Sequence, residues 1–249
     1  MRAHRFVLAL AVLVLTAAAG GAEPKTLLLL GQAPDGHPPA THEYMAGIEL
    51  LAKLLEPTPG LTIRIAKADE PWSEGPKLLE QCDGAVLFLS EGARWCQADP
   101  RRHEALARLA ARGGGLVALH WALGTKAAEP IEEFLKLFGG CHGGPDRKYQ
   151  VVKTDLLIAD PAHPIVAGLN NFRAHDEFYY RLKFVQPEGS IRPVLQATID
   201  GRKETVAWSW ERADGGRSFG FSGLHFHENW NVPEYRKLVT QATLWTMKQ

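Results

Sequence analysis

The chain has 249 residues, 45% of them hydrophobic and 22% charged, a composition that supports a packed core and excludes disorder or collagen-like repetition. Its 28 Lys and Arg balance 28 Asp and Glu. The basic excess that drives sequence-independent binding to phosphate backbones is therefore missing, and no nucleic-acid partner is expected.

In chain order, residues 1–5 carry two arginines, residues 6–19 form an apolar run, and Gly20, Gly21 and Ala22 follow. This is the pattern of a signal peptide cut after Ala22, which predicts an exported protein. The run is short for a permanent anchor, so no stable membrane span is expected. Loss of Arg2 and Arg5 with the leader leaves 26 basic against 28 acidic residues, a net charge of −2. Residues 23–249 read as a single domain, with no repeat and no Pro/Ser-rich linker. The cysteines Cys82, Cys96 and Cys141 are odd in number and allow one bridge at most.

Short apolar runs then alternate with amphipathic segments, the grammar of strands joined by crossover helices around a parallel sheet. Strands are predicted at 26–30, 62–66, 84–89 and 116–119. A helix is predicted at about 42–55, with Ile48, Leu51, Leu54 and Leu55 on one face. Another is capped by Asp99, begun by Pro100 and stopped by Gly113-Gly114-Gly115. After residue 140 the pattern becomes β-rich, with strands at 149–158, 178–184, 205–210 and 217–222 and a closing helix at about 233–247. The expected fold is α/β: three layers, a mostly parallel central sheet and β-rich C-terminal elaborations.

In such a sheet ligands collect beyond the carboxyl ends of the strands. The loop from Gly31 to His37 leads to Thr41-His42-Glu43-Tyr44 at a helix start, where free N–H groups suit an anionic or hydroxyl-rich ligand and Thr41 is the expected cap. His120 ends the fourth strand where hydrolases present a nucleophile. An imidazole there suits proton transfer or metal ligation better than acyl transfer. His225 and His227, two apart, would face one side in extended chain, as metal-binding pairs do, with His42, His120 and Glu177 placed to complete a set. Asp176-Glu177 precede Phe178-Tyr179-Tyr180, a carboxylate near imidazoles that could move a proton. Trp95, Trp121 and Trp230 stand in predicted strand-end loops, where flat apolar faces suit sugar rings; Trp208, Trp210 and Trp245 are expected in the core. Cys96 and Cys141 lack the tight turn that would expose a thiolate.

These segments resemble the ThuA-like proteins, named for trehalose utilisation, within the class I glutamine amidotransferase-like fold. The resemblance rests on Gly36-His37-Pro38 with His42-Glu43-Tyr44, on Gly113 to Trp121, and on Phe138-Gly139-Gly140. It continues through His163-Pro164-Ile165, Asp176 to Tyr179, Val206-Ala207-Trp208, Arg217 and Gly223-Leu224-His225. It implies a flavodoxin-like sheet, His120 in place of the amidotransferase cysteine, no glutaminase activity, and a role in carbohydrate utilisation.

The resulting expectation is a secreted enzyme acting on a keto-sugar or glycoside. His120, Glu177 and His225 are its catalytic candidates; His42, His120, His225 and His227 are candidate ligands to a divalent metal, zinc first. His37, Glu43, Trp121, Tyr179 and Trp230 are candidate substrate contacts. The expected partner is a small-molecule carbohydrate, and a homo-oligomer is compatible with the sequence. The alternative is a non-catalytic carbohydrate-binding protein on the same fold.

Overall fold

The computed structural model describes residues 24–249, and the leader expected at residues 1–22 lies outside them. The first half supplies β1 (Lys25–Gly31), α1 (Tyr44–Leu55), β2 (Leu61–Lys67), α2 (Gly75–Glu80), β3 (Gly84–Leu87), α3 (Gly92–Ala98), α4 (Pro100–Ala111) and β4 (Gly115–Leu119). A one-turn 3-10 segment, His120–Leu123, leads to β5 (Gly124–Thr125), α5 (Ile131–Phe138) and β6 (Gly140–Gly143). The second half supplies β7 (Lys148–Ile158), β8 (Phe172–Tyr180), β9 (Lys183–Phe184), β10 (Arg192–Ile199), β11 (Arg202–Glu211), β12 (Arg217–Phe221) and α6 (Pro233–Thr246).

Nine strands form one sheet in the order β2-β1-β3-β4-β12-β11-β10-β7-β8. Pairings from β2 to β12 are parallel and those from β12 to β8 antiparallel, so the C-terminal strands extend the same sheet. β5, β6 and β9 make a smaller sheet beside it.

The continuous apolar run in β1 follows from burial on both faces. Leu27 and Leu29 pack with α1 and α6, whereas Leu28 and Leu30 pack with the layer of α2, α3, α4 and α5. β2, at the edge, alternates instead, and Ile65 is exposed. α4 begins as its sequence dictates: Asp99 accepts a bond from the Arg101 N–H, and Pro100 holds the first position. No helix among the described residues is long and apolar enough to cross a membrane.

Several predicted boundaries change for physical reasons. α1 starts at Tyr44 with Glu43 as its N-cap; Thr41 does not cap it, donating its hydroxyl instead to the Pro38 carbonyl. β8 starts at Phe172, because Ala174, Asp176 and Phe178 alternate as its buried side and the buried acid hides the period. The predicted 178–184 strand breaks at Arg181, whose φ is 51°, and β9 follows. β10 escapes prediction because it contains Pro193, accommodated where the register shifts between Pro193 and Leu195. α2, α3 and α5, of 6, 7 and 8 residues, are too short for periodicity to declare them. All three cysteines are free and buried.

The layer of α3 fixes the segment after β4. A Cβ on Gly92 would overlap the Ala122 carbonyl oxygen. Gly92→Ala is therefore expected to destabilise the fold by about 2–3 kcal/mol through overpacking, measured by urea unfolding; a neutral result would mean that α3 can slide away.

Candidate active site

The parallel register aligns the carboxyl ends of β1, β3, β4 and β12, with Leu30 opposite Leu87, Leu87 opposite Ala118 and Ala118 opposite Gly220. The segments that follow therefore meet at one edge. They deliver His42 after β1, His120 after β4 and His225 after β12. His42 Nε2 lies 3.0 Å from His120 Nε2, which lies 3.2 Å from His225 Nδ1. All three imidazoles are buried.

The backbone is bent to achieve this. His42 (φ 52°), His120 (φ 49°) and Leu224 (φ 77°), immediately before His225, occupy the left-handed region that side chains disfavour. Strain of this kind persists where surrounding structure enforces it, and it clusters at functional sites.

Hydrogen bonds assign the tautomers of two rings. His120 Nδ1 donates to the Ser222 carbonyl at 2.8 Å, and His42 Nδ1 donates to Asp35 Oδ2 at 3.0 Å. Each Nε2 then carries a lone pair when the ring is neutral, and the two lone pairs face one another. The Tyr179 hydroxyl, 3.0 Å from His120 Nε2, serves as a donor for one of them, while among the described residues His42 Nε2 has only the His120 contact.

Protonation is an unfavourable remedy. Burial, reinforced by His42 and His225, holds the His120 pKa well below the ordinary histidine range. Burial also lowers His42 against the pull of Asp35, and burial with the neighbouring imidazoles lowers His225 to about 4. Converging neutral imidazoles, two of them oriented by a carboxylate and a carbonyl behind them, fit a divalent cation such as zinc. Ligand atoms of His42, His120 and His225 lie within 4.8 Å of one another, and Asp35, His37 and His42 form a second group of the same kind.

Acidic groups complete the centre. Burial works against the Asp35 carboxylate, but donation from His42, Tyr44 and His37 outweighs it and holds its pKa well below the usual range. Glu177 Oε1 stands 3.7 Å from His225 Nδ1 and 3.9 Å from His120 Nε2, and burial pushes its carboxyl up to about 7. Asp176, fully buried on the opposite side of β8, accepts from the N–H groups of Leu224 (2.6 Å) and His225 (3.1 Å) and from the Tyr235 hydroxyl (3.2 Å). It thereby ties β8, last in the sheet order, to the His225 loop.

A cavity of about 150 Å³ opens onto this centre. His37, His42, Glu177 and Tyr179 line its inner part, with Trp121, Lys126, His142, Arg147 and Tyr149 around them. Tyr179 lies in a stack, 4.6 Å from the His120 ring on one side and 3.9 Å from the His142 ring on the other.

Of the residues expected from sequence, His42, His120, His225, Glu177, His37, Trp121 and Tyr179 come together. Trp230 does not join them: it is buried in the core against Phe88 and Gly47, away from any sugar-accessible surface. Trp95 is likewise buried, against Trp72. Glu43 turns back to accept the Ala40 N–H and does not line the cavity. His227 falls outside the three-imidazole group, because the chain leaves extended geometry at Leu224 and His227 opens a 3-10 turn. Sequence reasoning missed Asp35, Tyr44, His142 and Arg147 as site residues; Asp35, two residues before His37 and seven before His42, carried the readable signal.

These features define a class: an α/β protein with an amidotransferase-like sheet, in which a strained histidine of a three-imidazole centre occupies the strand-end turn. The chain belongs to the ThuA family, whose model, described as trehalose utilisation, matches residues 35–246. A ThuA-like protein from Parabacteroides merdae is 19% identical with a TM-score of 0.67, covering 90% of each chain. One from Bacteroides uniformis is 14% identical with a TM-score of 0.70, covering 92% of this chain and 94% of that one. A glutamine amidotransferase from Thermotoga maritima shares the fold at 9% identity and TM-score 0.51, covering 91% of this chain and all (100%) of its own. No curated protein matches.

Proposed function

We propose that this protein is an exported enzyme that acts on a keto-sugar or glycoside, with His42, His120 and His225 holding a divalent metal and Glu177 moving a proton. Membership of a family described as trehalose utilisation supports the sugar substrate. The observation that carries the metal is the pair of imidazole lone pairs facing each other at 3.0 Å in a buried site. When bound, such a cation polarises a carbonyl or hydroxyl oxygen.

The chain's own groups do the rest. Asp35 fixes the His42 tautomer, and the Ser222 carbonyl fixes that of His120. Glu177, with a carboxyl near neutrality, can hold or release a proton at Oε1 on the cavity wall. Trp121 supplies apolar surface on the cavity wall for a sugar ring, while Tyr179, stacked between the His120 and His142 rings, offers its edge and not its face.

Glu177→Gln keeps the shape and removes the titrating group. It is expected to lower turnover of a responsive glycoside on the order of a hundredfold while leaving the zinc content of the purified protein intact. Sugar binding with no turnover in the unaltered protein would instead make it a carbohydrate-binding protein, and undiminished turnover in the variant would remove Glu177 from the chemistry.

A further inference from the structure

His142 lines the cavity but takes no part in the three-imidazole centre. It lies in β6, opposite Gly124 of β5, just beyond the turn that carries His120. Its ring is enclosed by aromatic side chains, stacked on Tyr179 at 3.9 Å with Trp121 and Tyr149 edge-on at 5.7 and 6.4 Å. The side chain is only 2% exposed, yet neither ring nitrogen has a hydrogen-bond partner among the described residues. Buried polar groups in folded proteins are almost always paired. The partner this ring is placed to meet is therefore a ligand in the cavity.

The charges around His142 define the chemistry of that ligand. Gly144-Pro145-Asp146-Arg147 is a tight turn, in which the Arg147 backbone N–H donates to the Gly144 carbonyl at 3.3 Å and the guanidinium donates to the same oxygen at 3.2 Å. The guanidinium is thus held on the cavity wall, with no carboxylate partner among the described residues and its other N–H groups free. Burial, reinforced by the positive charges of Arg147 and Lys183, lowers the His142 pKa to about 3, so the ring is a neutral donor standing among cations. Lys183 is held by Asp146 at 2.9 Å, and Lys126, on the same wall, is offset by Glu91 at 3.6 Å. Glu177, the only acid lining the cavity among the described residues, stands at the His120 end, 3.9 Å from Nε2 of that ring. In a chain whose charges balance overall, the His142 end of the cavity keeps one positive charge that no side chain neutralises.

We infer that His142 and Arg147 form a carboxylate subsite, so that the sugar taken by the cavity is an acidic one, a uronic acid or its glycoside. The Arg147 fork meets the carboxylate oxygens and the His142 N–H donates to one of them; hydrogen bonds of this charge-assisted kind are stronger than those to a neutral hydroxyl. One guanidinium and one ring N–H match two oxygens that share one charge, whereas a phosphate dianion with three oxygens calls for more donors and more positive charge. Tyr179 stands between His142 and His120, so a sugar held by its carboxylate presents its opposite end to the histidine centre. The inference rests on the reading of the cavity as a sugar site.

Isothermal titration of the purified protein with glucuronate, glucose and glucose 6-phosphate tests this, since the three sugars differ only at C6. Glucuronate is expected to bind about tenfold more tightly than glucose. Arg147→Met, at a half-buried position, and His142→Phe, which keeps a ring against Tyr179 and removes the donor, are each expected to weaken glucuronate about tenfold while leaving glucose within about twofold. Equal binding of glucuronate and glucose, or a ratio unchanged in either variant, would overturn the carboxylate subsite and leave the sugar reading standing. Tighter binding of glucose 6-phosphate than of glucuronate would assign the subsite to a phosphate and overturn the carboxylate. Failure of all three sugars to bind would remove the sugar reading and the subsite with it.

Discussion

His120→Ala is expected to strip the protein of bound zinc and to lower turnover at least about a thousandfold, more than loss of a supporting residue, which typically costs 10–100-fold. The reason is its central position. His120 Nε2 lies within 3.2 Å of nitrogens on both other imidazoles and 3.0 Å from the Tyr179 hydroxyl. Removing it takes away a ligand atom and the partner of three neighbours at once. Elemental analysis of protein purified without chelator reads the first effect, and glycoside turnover reads the second. A wild-type protein that neither retains nor takes up zinc, with His120→Ala equally active, would sink the metal centre.

The second large effect is expected from Asp176→Asn, a loss of about 2–3 kcal/mol of stability together with about 10–100-fold weaker zinc affinity. Burial pushes the Asp176 carboxyl up to about 7, against the pull of the donors around it. The N–H groups of Glu177, Leu224, His225 and Phe226 and the Tyr235 hydroxyl all aim at its two oxygens. An amide presents N–H to N–H at one of these positions, leaving buried donors without acceptors. Urea unfolding reads the stability, and Tyr235→Phe, which removes one donor, should cost about 1 kcal/mol. An Asp176→Asn protein as stable as Tyr235→Phe would mean that the His225 loop holds its shape without the carboxylate.

The parallel half of the fold was legible because central strands buried on both faces must be apolar throughout, as Leu27 to Leu30 are. His42, His120 and His225 were legible for a related reason: residues just after such strands gather at one edge. What could not be read is direction. Whether His227 follows His225 into the centre depends on the left-handed turn at Leu224, which no residue type there announces. The aromatic residues failed similarly, since Trp230 faces the core only because Gly47 leaves space for its ring. Asp176 was visible as a carboxylate beside imidazoles, but its burial depends on β8 returning across the sheet, a contact between residues 48 to 50 positions apart.

The sheet's change from parallel to antiparallel also bears on how the molecule is completed. His42 and His120 lie 78 positions apart, and His120 and His225 lie 105 apart. Glu177 and Tyr179 reach them from a strand at the far end of the order. Closing such distant loops is the slow part of folding. The centre therefore belongs to no sub-fragment of the chain, and a protein clipped before His225 would lack one of its three imidazoles.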